Sequence, residues 1–570
     1  MPKIEVHETL LESLLTQHYT DEALEEIFPV AKAELDGHDT DDHLYKIELN
    51  DTNRPDLWSA AGVARALNTY ESGTLSTYDF FSDEAVRRDS GDRRLIVDAS
   101  VEPVRPYSIG FAVKGRVVSE TILEALIQSQ EKLCNNFGRK RKSIAMGVYR
   151  SDLISYPVHY RGADPQETRF VPLGAEEVMS LAEIVKKHPK GQEYGHIVSS
   201  SPVFPFLHDD SGEVLSFPPV INSAHIGAVE AGDENLFFEF SGPGLDDLLL
   251  AASIVACDCA DMGFTVLPVT CSLPYDTPYG REITVPYYFQ KPQTCEVSYL
   301  HKTLGENLSD RQILTALERM GIKATISDSV ITVVPPEYRN DFLHAADIVE
   351  DVMIGHGLSL FAPVLPSDFT AGRLTEAEEL SRKVKDIIIG MGFQEMMYNY
   401  LGSRREYIDN MHVNGEAYIQ IANPMSENYE FVRPSIIPSL LESESVSAHA
   451  VYPHQIFEVG KVAYLDERDN SGTVTKNHLG FLASGPEAGF NDLNSYISTL
   501  LYFLNIEYVM TELDDQRFIP GRCGKLVRED RELGIFGEIH PQVLESWNIT
   551  MPCITCELDI DQLLICREHL

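Results

Sequence analysis

Residues 310–357 narrow most what this chain can fold into. Ile313, Leu314 and Leu317 recur at helical spacing, and the run stops at Gly321, a C-terminal cap signal. Residues 323–326 and 330–334 flank Ser327-Asp328-Ser329 and read as two short strands. Pro335-Pro336 then breaks the pattern, because proline has no backbone N–H to donate. A final helix is expected from about Asp341 to Gly355. Helix, β-hairpin, helix is a winged-helix-like order.

Four carboxylates lie on or just before that last helix: Asp341, Asp347, Glu350 and Asp351. At ~100° per residue with Asp347 at zero, Glu350 falls at about −60° and Asp351 at about +40°. Ala345, Ile348, Val349 and Val352 lie between about +100° and +200°. One face is therefore acidic and the opposite face apolar. Asp341 is off that face as a helical residue, but from a position before the helix its side chain can reach it. Like charges at these spacings repel by roughly 0.2–0.5 kcal/mol per pair. A hard cation reverses that penalty, and oxygen-only ligands favour Mg²⁺ or Ca²⁺ over zinc. The alternative is a solvated acidic face, a frequent feature in a chain with 88 acidic residues.

At 570 residues the chain exceeds one hydrophobic core, and three to five domains are expected. Nine cysteines occur without the regular spacing of a disulfide framework. Cys553-x-x-Cys556 lacks a second pair, so it reads as small apolar residues of a strand rather than half a zinc site. No run of ~18 apolar residues is present, so no membrane span is expected. Residues 1–15 carry acids and no long apolar run, so a signal peptide is not expected either, which fits a cytoplasmic chain. A net charge of −42 opposes broad nucleic-acid binding, though a local patch or a partner subunit can still provide it. The densest basic cluster is Arg139-Lys140-Arg141-Lys142.

Four regions follow: residues 1–92, 93–277, 278–368 and 369–570. In the first, residues 22–33 have helical spacing, and Asn53-Arg54-Pro55-Asp56 suits a turn into a helix through Leu67. The second reads as α/β, with strands at 107–118, 144–149 and 237–240, an amphipathic helix at 119–133 and an apolar helix at 245–262. Its residues 216–223 contain Pro218-Pro219 and are expected at an edge or in a loop. The fourth opens with a helix at 374–391, has turn chemistry at 423–428 and then alternates strands and helices.

The run Tyr338-Arg339-x-Asp341-x-Leu343-His344-x-x-Asp347-Ile348-x-Glu350-Asp351 resembles the beta subunit of phenylalanine–tRNA ligase, in the short form of archaea and the eukaryotic cytosol. Asn53-Arg54-Pro55-Asp56, residues 138–148, 216–222, 423–427, 431–441 and 534–541, and Gly521-Arg522, resemble that family in the same order. The resemblance implies an α+β multidomain fold: an α/β editing domain, a winged-helix-like domain and a degenerate class II aminoacyl-tRNA synthetase-like antiparallel-sheet module. It implies Mg²⁺ held by Asp341, Asp347, Glu350 and Asp351 in a structural role near a subunit contact. It places Leu207, Ser216 and Asn222 in a pocket that hydrolyses tyrosine misattached to tRNA(Phe), and Arg139, Lys140, Arg141 and Lys142 where they can meet tRNA phosphates, with a solvated turn as the alternative. An alpha subunit is implied as partner in an alpha-two beta-two tetramer, with ATP and phenylalanine bound there. Arg433 is then a relic of an ATP-binding motif or, equally, half of a buried ion pair. Two departures stand out: His356 replaces a frequent aromatic, and Ser223-Ala224-His225-Ile226 replaces Gly-Glu-His-Thr. The rival readings are a non-enzymatic tRNA-binding or assembly factor and a free-standing tRNA deacylase.

Overall fold

The strand Leu236–Gly242, Leu-Phe-Phe-Glu-Phe-Ser-Gly, is buried along its whole length. A strand of that composition must have both faces covered. It lies between Tyr107–Lys114 and Ala145–Arg150, with Thr265–Leu267 beyond, in a four-stranded antiparallel sheet. The apolar helix Leu245–Asp261 covers it. The computed structural model that places these elements describes residues 2–82, 84 and 91–567. The chain is a mixed α+β protein and falls into two compact units, Met1–Val364 and Leu365–Leu570.

In the first unit a second sheet has seven strands, in the order Ile221–Asn222, Val214–Phe217, Phe204–His208, Val158–Ala163, Arg94–Val97, Val269–Ser272 and Glu282–Val285. The only parallel pairs in this sheet are the two that Arg94–Val97 makes with its neighbours. Pro218 and Pro219 lie in the turn between the two strands nearest one edge, where no ladder donor is required. Near the N-terminus, Lys3–His7, Leu44–Leu49 and Ala33–Asp39 form a three-stranded sheet, so the helix expected over 22–33 ends early, at Ile27. One apolar core runs from Ile4 to Val285 and takes in Tyr338, crossing residue 92 without a break.

A smaller core holds the helix–hairpin–helix element. Helix Asp310–Arg319 starts with a reciprocal Ser309–Gln312 cap, and Gly321 has the left-handed backbone expected of it. Gln293–Glu296, Val330–Val334 and Lys323–Ser327 form its sheet. The last helix is Ala345–His356, which starts four residues later than the spacing suggested. The Asp347 carboxylate accepts from the Leu343 and His344 amides at 2.7 and 2.6 Å, fixing the start of the helix, and Asp341 remains outside it.

In the second unit the sheet order is Gln394–Glu395, His454–Leu465, Thr473–Ser484, Cys553–Asp559, Arg531–Ile539, Phe518–Arg528 and Val509–Glu512, antiparallel except for the first pair. Alternation along the strands divides two cores. Leu479, Phe481 and Ala483 meet helices Glu376–Gly390 and Phe490–Leu504 on one face, whereas Leu482 meets Ile437–Val446 on the other. Cys553 and Cys556 are three positions apart on a strand, so they enter opposite cores and cannot share a metal. Among the described residues no helix is long and apolar enough to cross a membrane.

A Cβ added at Gly355 would lie 2.0 Å from the Ala316 carbonyl oxygen, where the helices Asp310–Arg319 and Ala345–His356 touch. Gly355→Val should destabilise this element by about 1–3 kcal/mol. Hydrogen exchange in Ala345–His356 should accelerate accordingly. Gly390→Ala, which meets no atom within 4 Å, should not change exchange there.

Candidate functional site

The acidic helix is not a uniformly wet face. Asp351 and Asp341 are 1% and 9% exposed and converge on Arg339. The Arg339 guanidinium donates to both Asp341 oxygens at 3.0 and 2.6 Å and to Asp351 Oδ2 at 2.8 Å. Arg54 approaches Asp341 to 4.0 Å and forms a bidentate pair with Asp56. Burial raises an acid's pKa, but Arg339 and Arg54 hold the Asp341 carboxyl well below the usual carboxylate range. Burial pushes Asp351 up despite the same guanidinium, and its Oδ1 has no hydrogen-bond partner. Glu350 pairs with Lys32 at 3.0 Å, and Lys32 also reaches Asp51 at 2.5 Å. Asp341, Asp347, Glu350 and Asp351 therefore all have partners within the chain, and Asp341 and Asp351 share one, Arg339. Among the described residues no three carboxylates, histidines or cysteines are gathered as a metal cluster.

A second network lies beside it. Arg65 donates to Asp258 at 2.5 Å and approaches Asp261 to 3.3 Å, Ser59 donates to Asp258 at 2.7 Å, and the guanidinium sits 4.3 Å from the Tyr338 ring centroid. Thus the Arg54–Asp56 segment, the helix Leu245–Asp261 and the run from Tyr338 to Asp351 meet through buried charge.

A cavity of ≈ 160 Å³ opens where Ala145–Arg150 approaches the proline turn. Ser216 and Asn222 line it, and with them Tyr149, Glu239 and Arg141. Tyr149 donates to Ser216 Oγ at 2.8 Å. The Asn222 amide nitrogen lies 3.3 Å from the Val148 carbonyl oxygen. Leu207 stands apart from the other two expected residues. It faces Ser216 across the ladder, but its side chain is wholly buried in the core and forms no part of the cavity wall. Glu239 was missed, although one acid inside the apolar run Leu236–Gly242 marks it. Burial pushes its carboxyl up to about 7, while Ser108 donates to it at 2.7 Å.

The basic run divides. Arg139, Lys140 and Arg141 have φ of 50°, 55° and 64°, three successive left-handed residues. Such a turn is costly for side chains other than glycine and must be held by its surroundings. Backbone bonds from their amides to Asn136, Asn135 and Cys134 hold it. Arg139, Lys140 and Lys142 remain exposed. Arg141 turns inward, donates to the Pro219 and Val220 carbonyls at 2.9 and 3.0 Å and lies over Tyr194. In the second unit Arg433 is fully buried and donates to Glu458 at 2.6 and 3.2 Å, which decides for the buried ion pair.

Two stretches match domain models of tRNA synthetases: residues 293–358 match the tRNA synthetase B5 domain, and residues 363–560 the phenylalanyl tRNA synthetase beta chain CLM domain. A phenylalanine–tRNA ligase beta subunit from Borreliella burgdorferi (strain ZS7) is 46% identical over 567 residues, 99% of this chain and 100% of that one. That of Borrelia turicatae (strain 91E135) is 45% identical over 566 residues with the same shares. The crystal structure of an N-terminal fragment of the phenylalanyl-tRNA synthetase beta-subunit from Pyrococcus horikoshii is 35% identical, with a TM-score of 0.58 over 62% of this chain and 100% of that one. The chain belongs to the phenylalanine–tRNA ligase beta-subunit family.

Glu239 sets a pH prediction. A carboxyl raised on folding binds its proton more tightly in the folded chain, so its contribution is full below about 4.5 and is lost as pH rises through about 7. Wild type should therefore lose up to about 3 kcal/mol relative to Glu239→Gln between these limits. Parallel denaturant titrations across that range measure the difference.

Proposed function

We propose that this chain acts as the beta subunit beside an alpha subunit that joins phenylalanine to tRNA(Phe) with ATP, in an alpha-two beta-two assembly in the cytoplasm. The cavity bearing Ser216 and Asn222 carries the reading. Its hydrogen-bonding groups stand among apolar neighbours, and a site that pairs a hydroxyl discriminates tyrosine from phenylalanine far better than an apolar slot. In this reading the cavity hydrolyses misacylated tyrosyl-tRNA(Phe). Asn222 and Ser216 address the phenol, Tyr149 fixes Ser216, and Leu207 packs beside Ser216 on the neighbouring strand. Arg139, Lys140 and Lys142 face the incoming tRNA backbone, while Arg141 shapes the cavity.

The same reading divides the chain into an N-terminal region, 1–92; an editing domain, 93–277; a winged-helix-like domain, 278–368; and a degenerate class II synthetase-like module, 369–570. The full-length kinship with ligase subunits supports it over the assembly-factor and deacylase alternatives. The inward pairing of Arg433 agrees with aminoacylation on the alpha subunit.

Mg²⁺ fits the all-oxygen donor set, and Asp351 Oδ1 offers a buried acceptor with no hydrogen-bond partner. Asp347, Glu350, Asp351 and Asp341 would hold it, and it would supply charge neutralisation. The acids are not gathered around one point, so the ion would have to displace Lys32 and Arg339, and the role proposed for it is structural. Asp347→Asn keeps an acceptor for the helix cap and removes a charge. It should lower the Mg²⁺ content of the assembled enzyme, measured by atomic emission; unchanged content and unchanged assembly would return these acids to simple ion pairing.

Asn222→Ala in the alpha–beta complex should slow deacylation of tyrosyl-tRNA(Phe) by about tenfold or more and leave phenylalanylation intact. Equal deacylation by both proteins would remove Asn222 from the pocket. Efficient deacylation by the chain without alpha would favour the autonomous deacylase.

A further inference from the structure

A cavity of ≈ 440 Å³ lies within the second unit, on the sheet face that carries the helix Ile437–Val446. Its walls combine both signs of charge. Lys476 pairs with Asp559 at 2.6 Å, and His478 with Glu557 at 2.7 Å. Arg517 lines the same space and is held by Asp515 through Nε and Nη2. Glu557 is 4% exposed, and its second oxygen accepts from Ser435 Oγ at 2.5 Å and from the Ile436 amide at 3.1 Å.

Burying this much charge does not by itself stabilise a fold, since well-packed apolar residues serve as well or better. Around a cavity, a converging polar set marks a binding site. The pairing also restricts the ligand. Each cation on the wall has a carboxylate of its own, so the site lacks the uncompensated positive charge that a triphosphate requires. A small ligand bearing one charge of each sign is complementary instead. Lys476 Nζ is joined to one carboxylate and can donate two further bonds, and Arg517 can donate through Nη1. Asp559 and Glu557 present negative charge to the same space, and a third carboxylate of the wall, Glu532, is paired with Lys525 at 2.7 Å. Tyr418, Tyr464, Pro434 and Ile535 provide flat and apolar wall for a side chain.

The geometry points to a binding site for a free zwitterionic amino acid with an aromatic or large apolar side chain. Its carboxylate meets Lys476 and Arg517, and its ammonium meets Asp559 and Glu557. The site is separate from the Ser216–Asn222 cavity and does not depend on the proposed editing role.

Equilibrium dialysis of the full chain against labelled L-phenylalanine tests it, with L-tyrosine, L-leucine, glycine and ATP as further probes. Saturable binding of one aromatic or large apolar amino acid per chain is expected, without competition from ATP. On the wild-type chain, the amide of that amino acid and its deaminated acid should each bind about tenfold or more weakly, because each lacks one charge. Lys476→Met and Ile535→Trp should weaken binding similarly, with thermal unfolding reporting whether each variant folds. If Lys476→Met does not fold, the analogue series and Ile535→Trp decide. No saturable binding of any probe amino acid would overturn the inference, as would analogues that bind as tightly as the parent. Binding that falls in Asn222→Ala but not in Ile535→Trp would place the ligand in the other cavity and overturn it as well.

Discussion

The buried guanidinium of Arg339 is the joint on which the first unit depends. It is 2% exposed and lies between Asp341, before the last helix of the small domain, and Asp351, within it. Arg54 and Arg65 extend the network to Asp56, Asp258 and Asp261. Loss of one partner in such a set leaves a charge stranded away from water, which costs about 3–5 kcal/mol. The network therefore specifies an arrangement more than it adds stability. It ties three sequence-distant segments together, two of which share one apolar core while the third packs mainly in a smaller core of its own.

That dependence explains the contrast between the two candidate sites of the first unit. Around the acidic helix the protein satisfies its own charges, so an added cation needs a rearrangement of Lys32 or Arg339. Around the cavity the polar groups stand in an apolar frame, and the Tyr149–Ser216 bond keeps one of them in place. A site of the second kind can recognise a ligand without reorganising.

Much of this was legible along the chain. Helical spacing at Ile313, Leu314 and Leu317, the Gly321 cap and the proline turn after Phe217 follow from local rules of backbone and periodicity. So does the separation of Cys553 from Cys556, once a strand is assumed. The start of the last helix was not legible, because Asp347 spends its carboxylate on the Leu343 and His344 amides, a choice that spacing does not reveal. The division of Arg139–Lys142 was hidden for a similar reason. A basic run reads as one exposed patch, and only the fold brings the Pro219 and Val220 carbonyls and the Tyr194 ring to Arg141. Leu207 stands beside Ser216 but in the core, because ladder neighbours can share a face without sharing a cavity. Glu239 was overlooked because its meaning depends on Ser108 and on strands far away in sequence.

The pair between Arg433 and Glu458 has a historical consequence. Once a guanidinium is sealed against a carboxylate inside a protein, neither partner can drift alone without passing through a form with a stranded charge. The pair works as a ratchet. The second unit can exchange both residues together, or keep both, but no single step returns Arg433 to solvent for other work.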